Sequence, residues 1–132
     1  MLLQSINIAD QRYQAAKKEV DFIQRYIFPG GSLPSVSVIA KNVAEHTDMR
    51  FYQLEDIGLH YAITLATWRE RFFNNIEHIQ KLGYSETFIR MWDFYLCYCE
   101  AGFKENSIGT IQVLLTKPQC RREPALTFNN AL

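Results

Sequence analysis

The sequence has no excess of charge of either sign, no apolar run of membrane-spanning length and few cysteines. Its 14 basic and 14 acidic residues cancel. A nucleic-acid binder carries a basic footprint, so that class of partner is disfavoured. The one local basic cluster, Lys117 with Arg121 and Arg122, holds fewer charges than the roughly four to eight of a lipid-binding polybasic segment. No stretch approaches the ~20 apolar residues of a spanning helix, and the N-terminus lacks the basic-then-apolar form of a secretory signal. The three cysteines are Cys97, Cys99 and Cys120. The first two lie two apart on a predicted helix, point to different sides, and can neither bridge nor chelate a metal together. With no histidine at ligand spacing, they read as reduced structural thiols of a cytoplasmic protein, and no metal site is expected. Also absent are G-x-G-x-x-G, a P-loop, a nucleophile elbow and zinc spacing.

Aromatic residues are abundant, at 14% of the 132-residue chain. Large rings build cores and also line pockets for apolar ligands. Met1–Ile8 reads as a short strand, and its start at the first residue suggests a segment of something larger. Ala9-Asp10 opens a helix with Asp10 as N-cap. Its apolar face is Tyr13, Ala16, Val20, Ile23 and Ile27, and Phe28-Pro29-Gly30-Gly31 stops it. After the connector Ser32–Pro34, Ser35 caps a second helix to about His46, with Val36, Ile39, Ala40 and Val43 inward. Arg50–Ile57 alternates with period two and is a second strand.

Gly58 breaks that strand. A helix follows whose face runs Tyr61, Leu65, Trp68, Phe72, Ile76 and Ile79, and Gly83 ends it. Ser85 caps the next helix, to about Lys104, which is apolar nearly all round and so predicted to be buried on two sides or to face a ligand. Asp93 and Glu100 interrupt it, and surface pairing with Arg69, Arg71 or Arg90 is preferred over a catalytic carboxylate pair. Ile108–Thr116 is a final strand buried on both faces. The order gives a mixed, helix-rich α/β layer, and here the chemistry legible from residue types ends.

Four stretches extend the reading. They are Leu2-Leu3-Gln4-Ser5-Ile6, then Phe22 to Ser35 with its Ile27-Phe28-Pro29-Gly30-Gly31-Ser32-Leu33-Pro34-Ser35 core, then Leu54 to Tyr61 running on to Trp68-Arg69-Glu70-Arg71-Phe72, and Arg90-Met91-Trp92 with Phe94 to Phe103. In this order they resemble the C-terminal part of the cyclopropane-fatty-acyl-phospholipid synthases and mycolic-acid cyclopropane synthases, over about residues 1–117. The resemblance implies a Rossmann-like methyltransferase fold, with Met1–Ile8 as fifth strand, Arg50–Ile57 as sixth and Ile108–Thr116 as antiparallel seventh, and helices between roofing a lipid pocket. Residues 118–132 are then a loose tail.

The activity implied is methylene or methyl transfer from S-adenosylmethionine to the double bond of an unsaturated acyl chain, with a bound bicarbonate removing a proton so that the ring closes. Both groups belong to the complete enzyme, and neither is expected to be bound by this chain alone, whose family cofactor loop would lie upstream. By the same resemblance Tyr61, Ile6 and Gln4 fall at bicarbonate positions. Gln4 replaces a histidine, which keeps a hydrogen-bond donor but no titratable proton. The plain structural alternatives are a core tyrosine and an ordinary polar strand residue. His46, His60 and His78 read as surface residues without catalytic roles. Trp68, Phe72, Trp92, Phe94, Tyr95 and Tyr98 read mostly as core, with one or two lining the acyl pocket. The implied partners are phospholipid acyl chains and the inner membrane face, touched peripherally. A non-catalytic helical module binding an apolar ligand or a protein is the alternative. The open edge of the first strand predicts dimerisation or strand exchange.

Overall fold

The computed structural model of the chain describes residues 1–121; Arg122 and the rest of the predicted tail lie outside them. The elements are β1 (Leu2–Ile8), α1 (Asp10–Ala16), a π-helical turn (Ile23–Ile27), α2 (Val36–His46), β2 (Arg50–Asp56), α3 (Gly58–Asn74), α4 (Ile76–Lys81), α5 (Glu86–Lys104) and β3 (Ile108–Thr116). The sheet order is β1-β3-β2, with β3 antiparallel to both neighbours. The last strand is antiparallel, as expected, and the structure places it between the other two.

Alternation along β3 divides the core into two layers. Ile111, Val113 and Leu115 are buried with Val36, Ile39 and Val43 of α2 packed on them. The other layer is Ala62 and Leu65 of α3 with Leu96 and Phe103 of α5, and Ile6 and Ile108 of the sheet join it. So α2 covers one face of the sheet and the α3–α5 pair covers the other. These two helices run antiparallel, as the Tyr61–Phe103 ring contact near one end and the Arg69–Asp93 pair (2.5 Å) further along show. Asp93 thus takes one of the arginines expected for it. Glu100 takes none of them and pairs with Lys104 one turn on.

Helix ends follow the local chemistry. Ser35 Oγ accepts from the Val38 amide and Ser85 Oγ from the Phe88 amide, as N-caps should. Gly83 follows α4 with φ +90°, where a side chain would be strained. At the end of α5, Asn106 takes the left-handed position (φ 52°). The Ser107 amide then reaches Gly102 O (2.9 Å) and the Asn106 amide reaches Phe103 O (3.2 Å), a Schellman ending built on Asn.

The structure corrects four expectations. The helix predicted over Asp10–Ile27 is two pieces. The Asp21 carboxylate accepts from the Gln24 amide (2.8 Å) while Gln24 Oε1 accepts from the Asp21 amide (3.1 Å), a reciprocal cap that starts a new turn after α1 has ended. Asp10 does not cap its own helix. It is the first residue of α1, and its Oδ1 accepts from the Ser37 amide (3.1 Å) at the start of α2. The helix predicted through to Gly83 breaks at Asn75, which closes α3 and opens α4, with its Nδ2 donating to Arg71 O (2.8 Å). Finally, of the six aromatic residues assigned mostly to the core, Phe72, Trp92 and Tyr95 pack partly buried against it, whereas Trp68, Phe94 and Tyr98 are 44%, 52% and 44% exposed.

Candidate functional site

A cavity of about 720 Å³ opens beside the C-terminal end of β1, within the roughly 300–1,000 Å³ of small-molecule sites. Ile6 and Ile8 of β1 line it, Tyr95, Tyr98 and Cys99 of α5 form one wall, and Phe28 and Leu33 a second, with the Phe28 ring meeting Tyr95 edge-on (centroids 6.2 Å). The second wall is shaped by the turn Phe28-Pro29-Gly30-Gly31. The Gly31 amide donates to Phe28 O (2.9 Å) across a proline and a glycine at φ +78°, the pattern of a type II turn. Gln24 Nε2 ties the turn back by donating to Gly31 O (2.9 Å), and Pro34 O takes the Ile8 amide (3.0 Å), which anchors the segment to β1. The Pro-Gly-Gly run is therefore the strut of the cavity wall.

Outside the wall, Phe22 meets Phe94 edge-on (centroids 4.8 Å) and lies 6.1 Å from Tyr98. Inside, burial pushes the Cys99 thiol up to about 11, helped by the charge of Asp21. Burial likewise raises Tyr95. Both groups therefore face the cavity in neutral form, as an apolar ligand requires.

The three sequence-predicted positions are only partly brought together. Ile6 lines the cavity. Gln4 lies on the same sheet face, two residues back along β1, exposed and outside the lining. Gln112 Nε2 donates to Gln4 Oε1 (2.9 Å), which leaves the Gln4 amide hydrogens available to an acceptor. Tyr61 is half-buried on the Leu65–Leu96–Phe103 cluster, where Ile6 also packs. Its ring lies 5.2 Å from Phe103 and 6.4 Å from Trp68, and it too is outside the cavity lining. His46, His60 and His78 are exposed, and among the described residues no group of three or more His, Cys, Asp or Glu is placed to hold a metal. Sequence reasoning missed Arg12, Glu19, Asp21 and Glu105, which line the cavity beside its apolar walls. The Asp21/Gln24 cap was the available signal, since it marks where the chain turns in to form that wall.

The mycolic acid cyclopropane synthetase family model matches residues 1–113. The chain belongs to that family. The tuberculostearic acid methyltransferase UfaA1 of Mycobacterium tuberculosis is 39% identical over 115 residues, covering 87% of this chain and 27% of that protein. The cyclopropane-fatty-acyl-phospholipid synthase of Escherichia coli (strain K12) is 38% identical over 96 residues, covering 73% of this chain and 24% of that one. The chain spans about a quarter of the length of these curated relatives. The mycolic acid cyclopropane synthase CmaA1, solved in complex with SAH and CTAB, superposes with a TM-score of 0.77 at 25% identity, over 89% of this chain and 44% of that one. The three strands and their helices are thus the C-terminal part of a cyclopropane synthase fold. No helix among the described residues is long and apolar enough to cross a membrane.

Proposed function

We propose that this chain is the acyl-chain-binding, C-terminal part of an S-adenosylmethionine-dependent methyltransferase that modifies the double bond of unsaturated fatty-acyl chains of phospholipids. The cavity supports this most directly. It is walled by aliphatic and aromatic side chains, stands at the strand end where an α/β sheet places its ligands, and belongs to a chain of this family. The described residues do not suit S-adenosylmethionine. Gly30 and Gly31 form a turn after a helix rather than a phosphate-type loop after a strand, so the cofactor falls to the remainder of the complete enzyme.

Bicarbonate is a better match. The Gln4 amide hydrogens are free once Gln112 holds Oε1, and the Tyr61 hydroxyl donates to nothing among the described residues. In the complete enzyme these two groups and the Ile6 backbone would hold the anion, which supplies a proton acceptor. Gln4 contributes a neutral donor there, so the site would lack the titration a histidine brings. The protein's own part is to desolvate the acyl chain, keep water from the reacting carbons, and offer ring faces to developing positive charge. The lipid is met at the membrane surface, and no helix among the described residues is long and apolar enough to cross it. Residues 1–117 form the enzyme part.

The test is to immunoprecipitate the native gene product from source cells with an antibody against this chain. The precipitate is supplied with methyl-labelled S-adenosylmethionine and vesicles of unsaturated phospholipid. Label in the acyl chains is expected. Acyl-chain binding without any transfer would replace this reading by that of a non-catalytic binding module, for which the self-contained cavity is the supporting observation.

A further inference from the structure

The second wall of the cavity holds itself together. Asp21 and Gln24 cap each other, the Arg25 amide donates to Asp21 O (3.0 Å), and the Phe28 amide closes the π turn on Ile23 O (2.8 Å). The Gly31 amide reaches Phe28 O, and Gln24 Nε2 reaches Gly31 O. Among the described residues, the hydrogen bonds of residues 21–31 therefore stay within the segment. It meets α5 through rings: Phe22 edge-on to Phe94 and near Tyr98, Phe28 edge-on to Tyr95. On one side, α1 has ended and Glu19 and Val20 belong to no helix or strand; on the other, Ser32 and Leu33 are equally irregular before Pro34, whose carbonyl is pinned by the Ile8 amide. Val20, Tyr26 and Phe28 are 74%, 55% and 55% exposed, so the segment buries little of its own apolar surface. Few buried apolar contacts and a π turn mark a part of low local stability.

We propose that residues 21–31 are a hinged strap that swings as one piece on Glu19–Val20 and Ser32–Leu33, latched to α5 by Phe22 on Phe94. The inference concerns the wall itself and holds whichever apolar ligand the cavity takes. Opening separates the Phe22 and Phe28 rings from α5 and breaks no hydrogen bond, so it avoids the cost of leaving backbone groups unpaired. It widens the cavity from the side and bares Cys99 in the facing wall. Closing over an apolar ligand buries the half-exposed Phe28 ring against it.

The experiment uses the full chain and reads the initial rate at which fluorescein maleimide, a bulky reagent, modifies Cys99, with exposed Cys97 as the reference. Phe22→Ala should raise the Cys99 rate about five- to twentyfold, as loss of an edge-to-face pair and its buried area allows, and leave Cys97 unchanged. Phe94→Ala should do the same, and the double variant little more, because both remove one contact. Phe22→Leu keeps the bulk without the ring edge, guards against an alanine variant that does not fold, and should give a smaller rise. Hydrogen exchange separates swinging from melting: the amides of Gln24, Arg25, Phe28 and Gly31 should keep their protection in Phe22→Ala. In the unaltered chain the Cys99 rate should climb only shallowly with urea below the unfolding transition, since a swing exposes little surface. A Cys99 rate untouched by these substitutions, strap amides that lose protection by the same factor, or a urea slope equal to that of global unfolding each overturns the strap.

Discussion

Gly109 is confined by its neighbours on β1 and β2. A methyl group at this position would lie 2.9 Å from Asn7 Oδ1 and 3.3 Å from Asp56 Oδ2. Asp56 has little freedom to yield, since its Oδ1 accepts from the Gly58 amide (2.8 Å) where α3 begins. Gly109→Ala should therefore cost about 1–3 kcal/mol, the range of overpacked sites, read as a lower urea midpoint; an unchanged midpoint would mean that Asn7 swings aside freely. Cys99 gives a second test. Its raised thiol favours the neutral form in the folded protein. That contribution is intact below the unfolded thiol range of ~8.5 and fades as pH climbs through about 11. At mildly alkaline pH iodoacetamide should modify exposed Cys97 at least about tenfold faster than Cys99, given that the thiolate is the reacting form. A bound acyl chain should slow Cys99 further. Equal rates in tandem mass spectra would place Cys99 outside the cavity wall.

Among the elements, α2 has the most unusual support, because its first turn is held by its own Ser35 and by a residue of α1. Hydrogen bonds from Ser35 and then Ser37 lower the Asp10 carboxyl from its ordinary value. A depressed carboxylate stabilises above the unfolded pKa and loses that contribution as pH falls through its folded value. Asp10→Ala should thus lower the melting temperature at neutral pH, with the difference closing in acid; a gap that persists in acid would assign the effect to packing. Three helix ends were legible in the sequence. Ser35, Ser85 and Gly83 each stop or start a helix by a bond to the nearest backbone, and such bonds depend on neighbours in sequence. The break after Ala16 was hidden by an apolar period that continues through Val20 and Ile23, although Val20 ends 74% exposed. Periodicity alone does not register a cap such as Asp21 with Gln24. The Asn75 break was hidden in the same way, by Ile76 and Ile79 keeping step with the face of α3.

At the scale of the whole molecule, strand identity and family were readable, because the alternation and the Pro-Gly-Gly segment are local. The cavity was not, because its walls come from β1, residues 19–33 and α5, which meet only in the fold. The same holds for the partial separation of Gln4 and Tyr61 from it. Among the described residues β1 has β3 as its one strand neighbour, and its Leu2 is 67% exposed. We expect self-association through that edge: light scattering at high concentration should give a mass above that of one chain, and substituting Lys for Leu2 should reduce it. A strictly single-chain mass throughout would count against it.

The central position of β3 also sets an order of events in time. Among the described residues neither β1 nor β2 has a ladder partner other than β3, the last strand in sequence, and the Leu115 amide closes on Met1 O (2.8 Å). During synthesis the α3–α5 hairpin can form as it emerges, while the pairing of β1 and β2 with β3 must wait. Loop-closure entropy makes such distant pairing slow, so these two ladders close only after translation of β3.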